Sequence, residues 1–161
     1  MEYPKRKRPR LKDFDYSLPY YYFLTICSFK KEDFFRNDNL ARMVIQTLFE
    51  MANGRGVHVH SYCLMPNHLH LLINPLGSNL LDFVREFKGV TTRLSWHYGI
   101  SKRLWQSSFY DHVVRLGEKL PDVSEYILLN PVRKGICENW EAYPYSGIVP
   151  EMPCAEGNGG A

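Results

Sequence analysis

Two histidines and, further on, a tyrosine followed by an asparagine carry the chemistry this chain could perform. In the run His60-Ser61-Tyr62-Cys63-Leu64-Met65-Pro66-Asn67-His68-Leu69-His70-Leu71-Leu72-Ile73, two histidines stand one residue apart inside an apolar stretch. Leu69, Leu71, Leu72 and Ile73 read as a strand, and Pro66-Asn67 as the turn before it. Residues i and i+2 of a strand project from one face, about 6.5 Å apart along the chain. Two imidazoles so placed can converge on one divalent ion. Alone, His-x-His reads first as a half-buried strand with two solvent-facing histidines; it becomes a site when a third ligand and a nucleophile join it.

The run Leu120-Pro121-Asp122-Val123-Ser124-Glu125-Tyr126-Ile127-Leu128-Leu129-Asn130 offers both. On a helix, Tyr126 and Asn130 are four apart and share a face, while Val123 and Ile127 form the adjoining stripe that would anchor the helix. A phenol of pKa near 10 is a weak nucleophile in water. It becomes competent when a metal withdraws charge from the phosphate it attacks. An amide oxygen is a hard donor able to complete a site begun by two imidazoles. Against this, the chain has eleven tyrosines, and Tyr-x-x-x-Asn is also an ordinary core-edge aromatic before a helix-ending asparagine. His112, beside Asp111, titrates near neutrality and could relay a proton or hold phosphate; the same pair could be a structural hydrogen bond. Pairing of the preceding strand would bring one face of His58 and His60 near such a metal, but both read as fold positions.

The elements that must position these residues are legible in outline. Residues 20–27 are aromatic and β-branched, a strand. Residues 39–52 have helical spacing, closed by Gly54 and Gly56. Residues 57–64 alternate as a second strand, joined through Pro66-Asn67 to the histidine strand, which ends near Asn74-Pro75. Ser78 or Asn79 can cap a helix from Leu80 to about Tyr98, with Leu81, Val84, Phe87 and Leu94 inside and Arg85, Lys88 and Arg93 outside. Val113-Val114 forms a short strand, and Pro131 ends or kinks the helix over 120–130. This order predicts an α+β fold: a ferredoxin-like βαββαβ layer with a four- or five-stranded antiparallel sheet, helices mostly on one face, and an added C-terminal helix. No repeat or linker divides the chain, so residues 1–161 read as one domain with a basic tail over 1–10 and a flexible tail over 148–161.

At 161 residues, 45% hydrophobic and 14% aromatic, the composition is globular, and no apolar run nears the ~20 residues that span a bilayer. The start is basic rather than apolar, unlike a secretory signal. Four cysteines far apart, without Cys-x-x-Cys, read as reduced cytosolic thiols rather than a zinc knuckle or a disulfide framework. A net charge of +3 sets up no strong global field. The cations cluster nonetheless: Lys5, Arg6, Lys7, Arg8 and Arg10 fill five of six tail positions. That arm, and the row Arg85, Lys88 and Arg93, are solvated faces unless nucleic acid is the substrate, in which case they are phosphate tracks.

Three blocks in order decide between these readings. Met65-Pro66-Asn67-His68-Leu69-His70-Leu71-Leu72 is followed by Trp105-Gln106 with Phe109-Tyr110-Asp111-His112-Val113-Val114-Arg115, then by Tyr126-Ile127-Leu128-Leu129-Asn130-Pro131-Val132-Arg133-Lys134-Gly135. Together they resemble the REP-associated tyrosine transposases, within the HUH (His-hydrophobic-His) superfamily of single-tyrosine DNA nucleases and transposases, over roughly residues 10–147. The resemblance implies that His68 and His70 bind a divalent metal, Mg²⁺ or Mn²⁺, and that Tyr126 attacks DNA. It also implies a ligand role for Asn130; insertion-sequence relatives carry a glutamine there and the REP-associated branch an asparagine. The implied reaction cleaves and rejoins hairpin-flanked single-stranded DNA through a 5′-phosphotyrosine and a free 3′-OH, without ATP. Implied DNA contacts are the basic tail, the helix row and Arg115, with Trp105 and Tyr110 stacking flanking bases, although Trp105 reads equally as a core aromatic. The implied setting is the cytoplasm, at the nucleoid, as monomer or homodimer. Alternatives are a replication-initiator-like HUH nickase, which normally brings a longer chain or a helicase, and a cleavage-dead nucleic-acid-binding module, which needs none of His68, His70, Tyr126 and Asn130.

Overall fold

The computed structural model describes residue 10, residues 12–115 and residues 117–150. Lys5, Arg6, Lys7, Arg8 and most of the expected C-terminal tail lie outside the described residues. Five strands form one antiparallel sheet: β1 (Tyr22–Cys27), β2 (His58–Met65), β3 (His68–Asn74), β4 (Tyr110–Val113) and β5 (Ser146–Ile148), in the order β4-β1-β3-β2-β5. The first four are the expected ferredoxin-like βαββαβ layer, and β5 extends it at the β2 edge. The helices are α1 (Asp38–Arg55), α2 (Leu80–Ser95), α3 (Leu120–Leu128) and the short α4 (Asn130–Arg133).

Strand alternation sorts side chains to two faces. Tyr22, Leu24 and Ile26 join Leu69, Leu71 and Ile73 in a large core under α1 and α2. Phe23, Cys63, Met65 and Leu72 point the other way, to Val123 and Ile127 of α3. His68 and His70 share that second face by the same parity. Pairing of β2 with β3 shifts between Val59 and Ser61. This bulge lets Val59 and Leu64, five apart, both enter the large core, and turns Ser61 toward α3, where its hydroxyl meets Ser124 Oγ at 3.1 Å.

The helix ends follow their caps. Asn37 Oδ1 accepts from the Leu40 N–H, and Gly56 closes α1 at φ 64°. Of the two candidate caps for α2, Asn79 performs the role, its Oδ1 accepting from the Asp82 N–H. α2 is set differently on the core than the spacing suggested. Leu80 and Phe83 join Val84 and Phe87 inside, while Leu94 is 36% exposed. Beyond α2 the Trp96–Tyr98 segment tightens to a 3-10 turn. Pro131 kinks the last helix as expected: the chain leaves α-geometry at Leu129 (ψ −1°) and resumes as α4. Among the described residues no helix is long and apolar enough to cross a membrane.

Candidate active site

The histidine strand meets three neighbours where it leaves the Pro66-Asn67 turn. In register, His70 lies opposite Thr25 of β1 and Cys63 of β2; His68 lies opposite Cys27 and Met65. His68 Nδ1 stands 2.7 Å from Asn67 Oδ1. That carbonyl oxygen only accepts, so His68 Nδ1 donates and the neutral ring keeps its lone pair on Nε2. His70 is 6% exposed, stacks on Phe23 at 5.4 Å and places Nδ1 2.9 Å from Thr25 Oγ1. In one tautomer it donates from Nε2 to His68; in the other it donates from Nδ1 to Thr25 and turns a second lone pair toward the first.

The two Nε2 atoms are 3.1 Å apart. Two nitrogens bound to one ion at ordinary lengths and a right angle would be separated by about 3.0 Å. Asn130, 5% exposed, brings its amide to 3.5 Å from His68 Nε2. The Nδ2–H donates there, and a half-turn of the amide would present Oδ1 instead. Among the described residues no cluster of three His, Cys, Asp or Glu side chains forms, so the third side-chain donor at hand is this amide. Burial, helped by Lys134 and Lys31, pushes His68 down to about 4. Burial and then His68 hold His70 well below its ordinary value, against a Leu24 backbone hydrogen bond. Both rings are therefore neutral near pH 7, the state in which imidazole ligates metal. The residues fit a divalent ion.

α3 brings the tyrosine to the same place. Val123 and Ile127 are fully buried against the sheet, so Tyr126 sits at the margin of that contact. Its ring meets Phe23 edge-on at 5.9 Å and His70 at 6.3 Å. The Arg133 guanidinium lies 4.3 Å over the ring, and Nη2 donates to the Tyr126 carbonyl at 2.6 Å. Tyr110 approaches the same Phe23 at 6.2 Å.

Other residues marked from sequence are placed as follows. Trp105 is core, not a platform for bases: it is 3% exposed, packs on Phe35 and Phe87 and donates its indole N–H to Thr91 Oγ1. Asp111 and His112 do not act as a pair, because successive strand residues face opposite sides. Asp111 accepts from the Tyr16 hydroxyl, while His112 meets Glu118. His58 and His60 are not near the metal-type site. His58 lies opposite Asn74, at the far end of the hairpin from His68, and both rings pack on Tyr21. Arg85 pairs with Asp82, Lys88 donates to the Ser107 carbonyl, Arg93 and Arg115 are exposed, and Arg10 lies over Phe109. Sequence reading passed over Thr25, Phe23 and Arg133. Arg133 was findable, since seven residues after Tyr126 is two helical turns; Thr25 and Phe23 depend on cross-strand register, which no local spacing records.

Residues 17–129 match the family described as Transposase IS200 like. An uncharacterized Haemophilus influenzae protein is 27% identical over 161 residues, covering 79% of this chain and 88% of that protein. The REP-associated tyrosine transposase of Escherichia coli K12 is 23% identical over 106 residues, covering 65% of this chain and 62% of its own length. Among solved structures, a REP-associated tyrosine transposase bound to a REP hairpin superposes with a TM-score of 0.67 at 20% identity, covering 89% of this chain and 82% of that one. At that identity the likeness is one of fold.

Proposed function

The chain belongs to the IS200-like transposase family, and we propose that it is a divalent-metal-dependent endonuclease and strand transferase for single-stranded DNA, of the REP-associated branch. The observation that carries the proposal is a convergence. Tyr126 reaches His70 at 6.3 Å between rings, and Asn130, one turn on, reaches His68 at 3.5 Å. A nucleophile and three donors of the right type thus share one side of the sheet. Asn130 in place of glutamine favours the REP-associated branch.

In this reading His68, His70 and Asn130 hold Mg²⁺ or Mn²⁺, which when bound draws charge from the scissile phosphate. Asn67 and Thr25 fix the two imidazoles through their Nδ1 atoms. Phe23 and Arg133 restrain the Tyr126 ring so that its hydroxyl oxygen attacks phosphorus in line. The Tyr126 Oη–P bond forms, its proton passes to solvent, and the bond from phosphorus to the 3′ oxygen breaks. The products are a 5′-phosphotyrosine and, after protonation, a free 3′-OH. A second 3′-OH reverses the step and restores the phenol, so the phosphodiester bond energy is retained and no ATP enters. A DNA hairpin with an unpaired flank is the proposed substrate, and Arg10, Lys88, Arg93 and Arg115 are proposed to contact phosphate.

Incubation with a 3′-end-labelled hairpin oligonucleotide and Mn²⁺ should yield a labelled covalent protein adduct that a chelator prevents. Tight hairpin binding with no adduct and no nick at any Mn²⁺ or Mg²⁺ concentration would favour a binding module instead.

A further inference from the structure

Building on the proposed role of Tyr126, we propose that Arg133, Lys31 and Lys134 form a cationic cradle that holds the scissile phosphodiester against the tyrosine, with Arg133 touching both. Arg133 is a positioning residue for the nucleophile and a contact for the substrate. The guanidinium covers one face of the Tyr126 ring at 4.3 Å and spends one N–H on the Tyr126 carbonyl. Four further N–H groups remain on a planar fork suited to two phosphate oxygens. Arg133 is exposed and among the described residues forms no salt bridge, so the fork over the Tyr126 ring is open to solvent rather than engaged with a carboxylate.

Lys134 continues from Arg133, its N–H donating to the Asn130 carbonyl. Lys31 comes from the opposite direction. The Ser28 N–H donates to the Asn67 carbonyl at 2.9 Å, which ties the Phe29–Lys31 turn to the turn that precedes His68. Lys30 and Lys31 both hold left-handed backbone, φ 52° and 56°. Two such non-glycine residues in succession are uncommon and mark places where surroundings impose the conformation. The Lys31 N–H donates to the Ser28 carbonyl and so hangs this turn from Asn67, whose side chain holds His68, while Lys134 is bonded to Asn130, whose amide reaches the same imidazole. The two lysines thus arrive from two separate parts of the chain. Three cations brought in beside the histidine pair and the tyrosine make a centre prepared for an anion, and the chemistry proposed there makes that anion a phosphodiester of a single strand.

The test uses the full chain with a fluorescent hairpin oligonucleotide carrying a single-stranded flank. Binding is followed by anisotropy against KCl concentration in chelator, and adduct formation is timed with Mn²⁺ at saturating DNA. Arg133→Gln, Lys31→Gln and Lys134→Gln should each lower the salt slope by about 0.7, the value for one single-strand phosphate contact. Arg42→Gln, which alters a surface pair with Asp38, should leave it unchanged. Arg133→Gln should also slow adduct formation at saturating DNA by about tenfold or more. Arg133→Lys should restore the salt slope without the rate, because an ammonium supplies charge but neither the flat stack nor the fork. Melting curves for each variant exclude loss of fold. Wild-type slope and rate in Arg133→Gln would overturn the proposal. An adduct on another tyrosine would remove the nucleophile reading, and the slopes would still decide the cradle: about 0.7 per cation retains it, no change overturns it.

Discussion

Thr25→Val tests whether β1 orients the metal-type site. Valine keeps the size and branching of threonine but removes the oxygen that stands 2.9 Å from His70 Nδ1. His70 is buried, and what is lost is one neutral side-chain hydrogen bond, so the fold should lose only about 1 kcal/mol. For a chain of this length that is a fall of about 2–4 °C in melting temperature. The larger effect belongs to the ion. Without its outer partner the imidazole no longer favours the tautomer with a lone pair on Nε2, and such losses typically weaken metal affinity about 10–100-fold, or about 1.4–2.7 kcal/mol. Calorimetric titration with Mn²⁺ reads the affinity directly, and adduct rate against Mn²⁺ concentration should shift in parallel. Thr25→Ser keeps the hydroxyl and should recover most of both. Mn²⁺ affinity within twofold of wild type in Thr25→Val would refute the reasoning.

His68→Ala should abolish cleavage with folding and hairpin binding retained, whereas His70→Ala should in addition melt lower, because His70 packs on Phe23 rather than lying on an open polar face; nicking assays and thermal melts separate the two, and wild-type cutting by both would put the metal elsewhere. Ile127→Ala should cost about 2–5 kcal/mol in urea unfolding, as expected for truncating a fully buried isoleucine; a loss below ~1 kcal/mol would mean that α3 is not anchored through this stripe. Lys88 is pushed down to about 8 by burial and then by Arg10 and Arg103, from an ordinary 10.5. The unfolded chain therefore binds more protons between those values, so stability should rise with pH across that window; Lys88→Met should flatten the rise in melts taken from pH 7.5 to 10.

What was legible in the sequence was whatever repeats at short range. The two histidines, two apart on a strand, and Tyr126 with Asn130, four apart on a helix, express the periods of their own elements. The kink at Pro131 follows from one missing N–H. The order of elements likewise predicted the ferredoxin-like layer. Register between elements was not legible. Thr25 reaches His70 from 45 positions away, and Trp105 is buried because Thr91 of α2 takes its N–H. The bulge between Val59 and Ser61 leaves no mark in a stretch that reads as plain alternation. Leu94 shows the same limit within one helix. Periodicity fixes an apolar stripe, but contact with α1 and the sheet decides which end of it is covered.

The central claim is that Tyr126 is the nucleophile, and mapping the covalent adduct tests it most directly. Tyr126→Phe removes one hydroxyl and leaves the contacts of its ring with Phe23, His70 and Arg133 in place, so hairpin binding should persist. With single-stranded hairpin DNA and Mn²⁺, peptide mapping of the wild-type adduct should find the nucleotide on Tyr126, and Tyr126→Phe should form none while Tyr110→Phe still does. An adduct that persists in Tyr126→Phe and disappears in Tyr110→Phe would contradict the account and transfer the role to the other tyrosine beside Phe23.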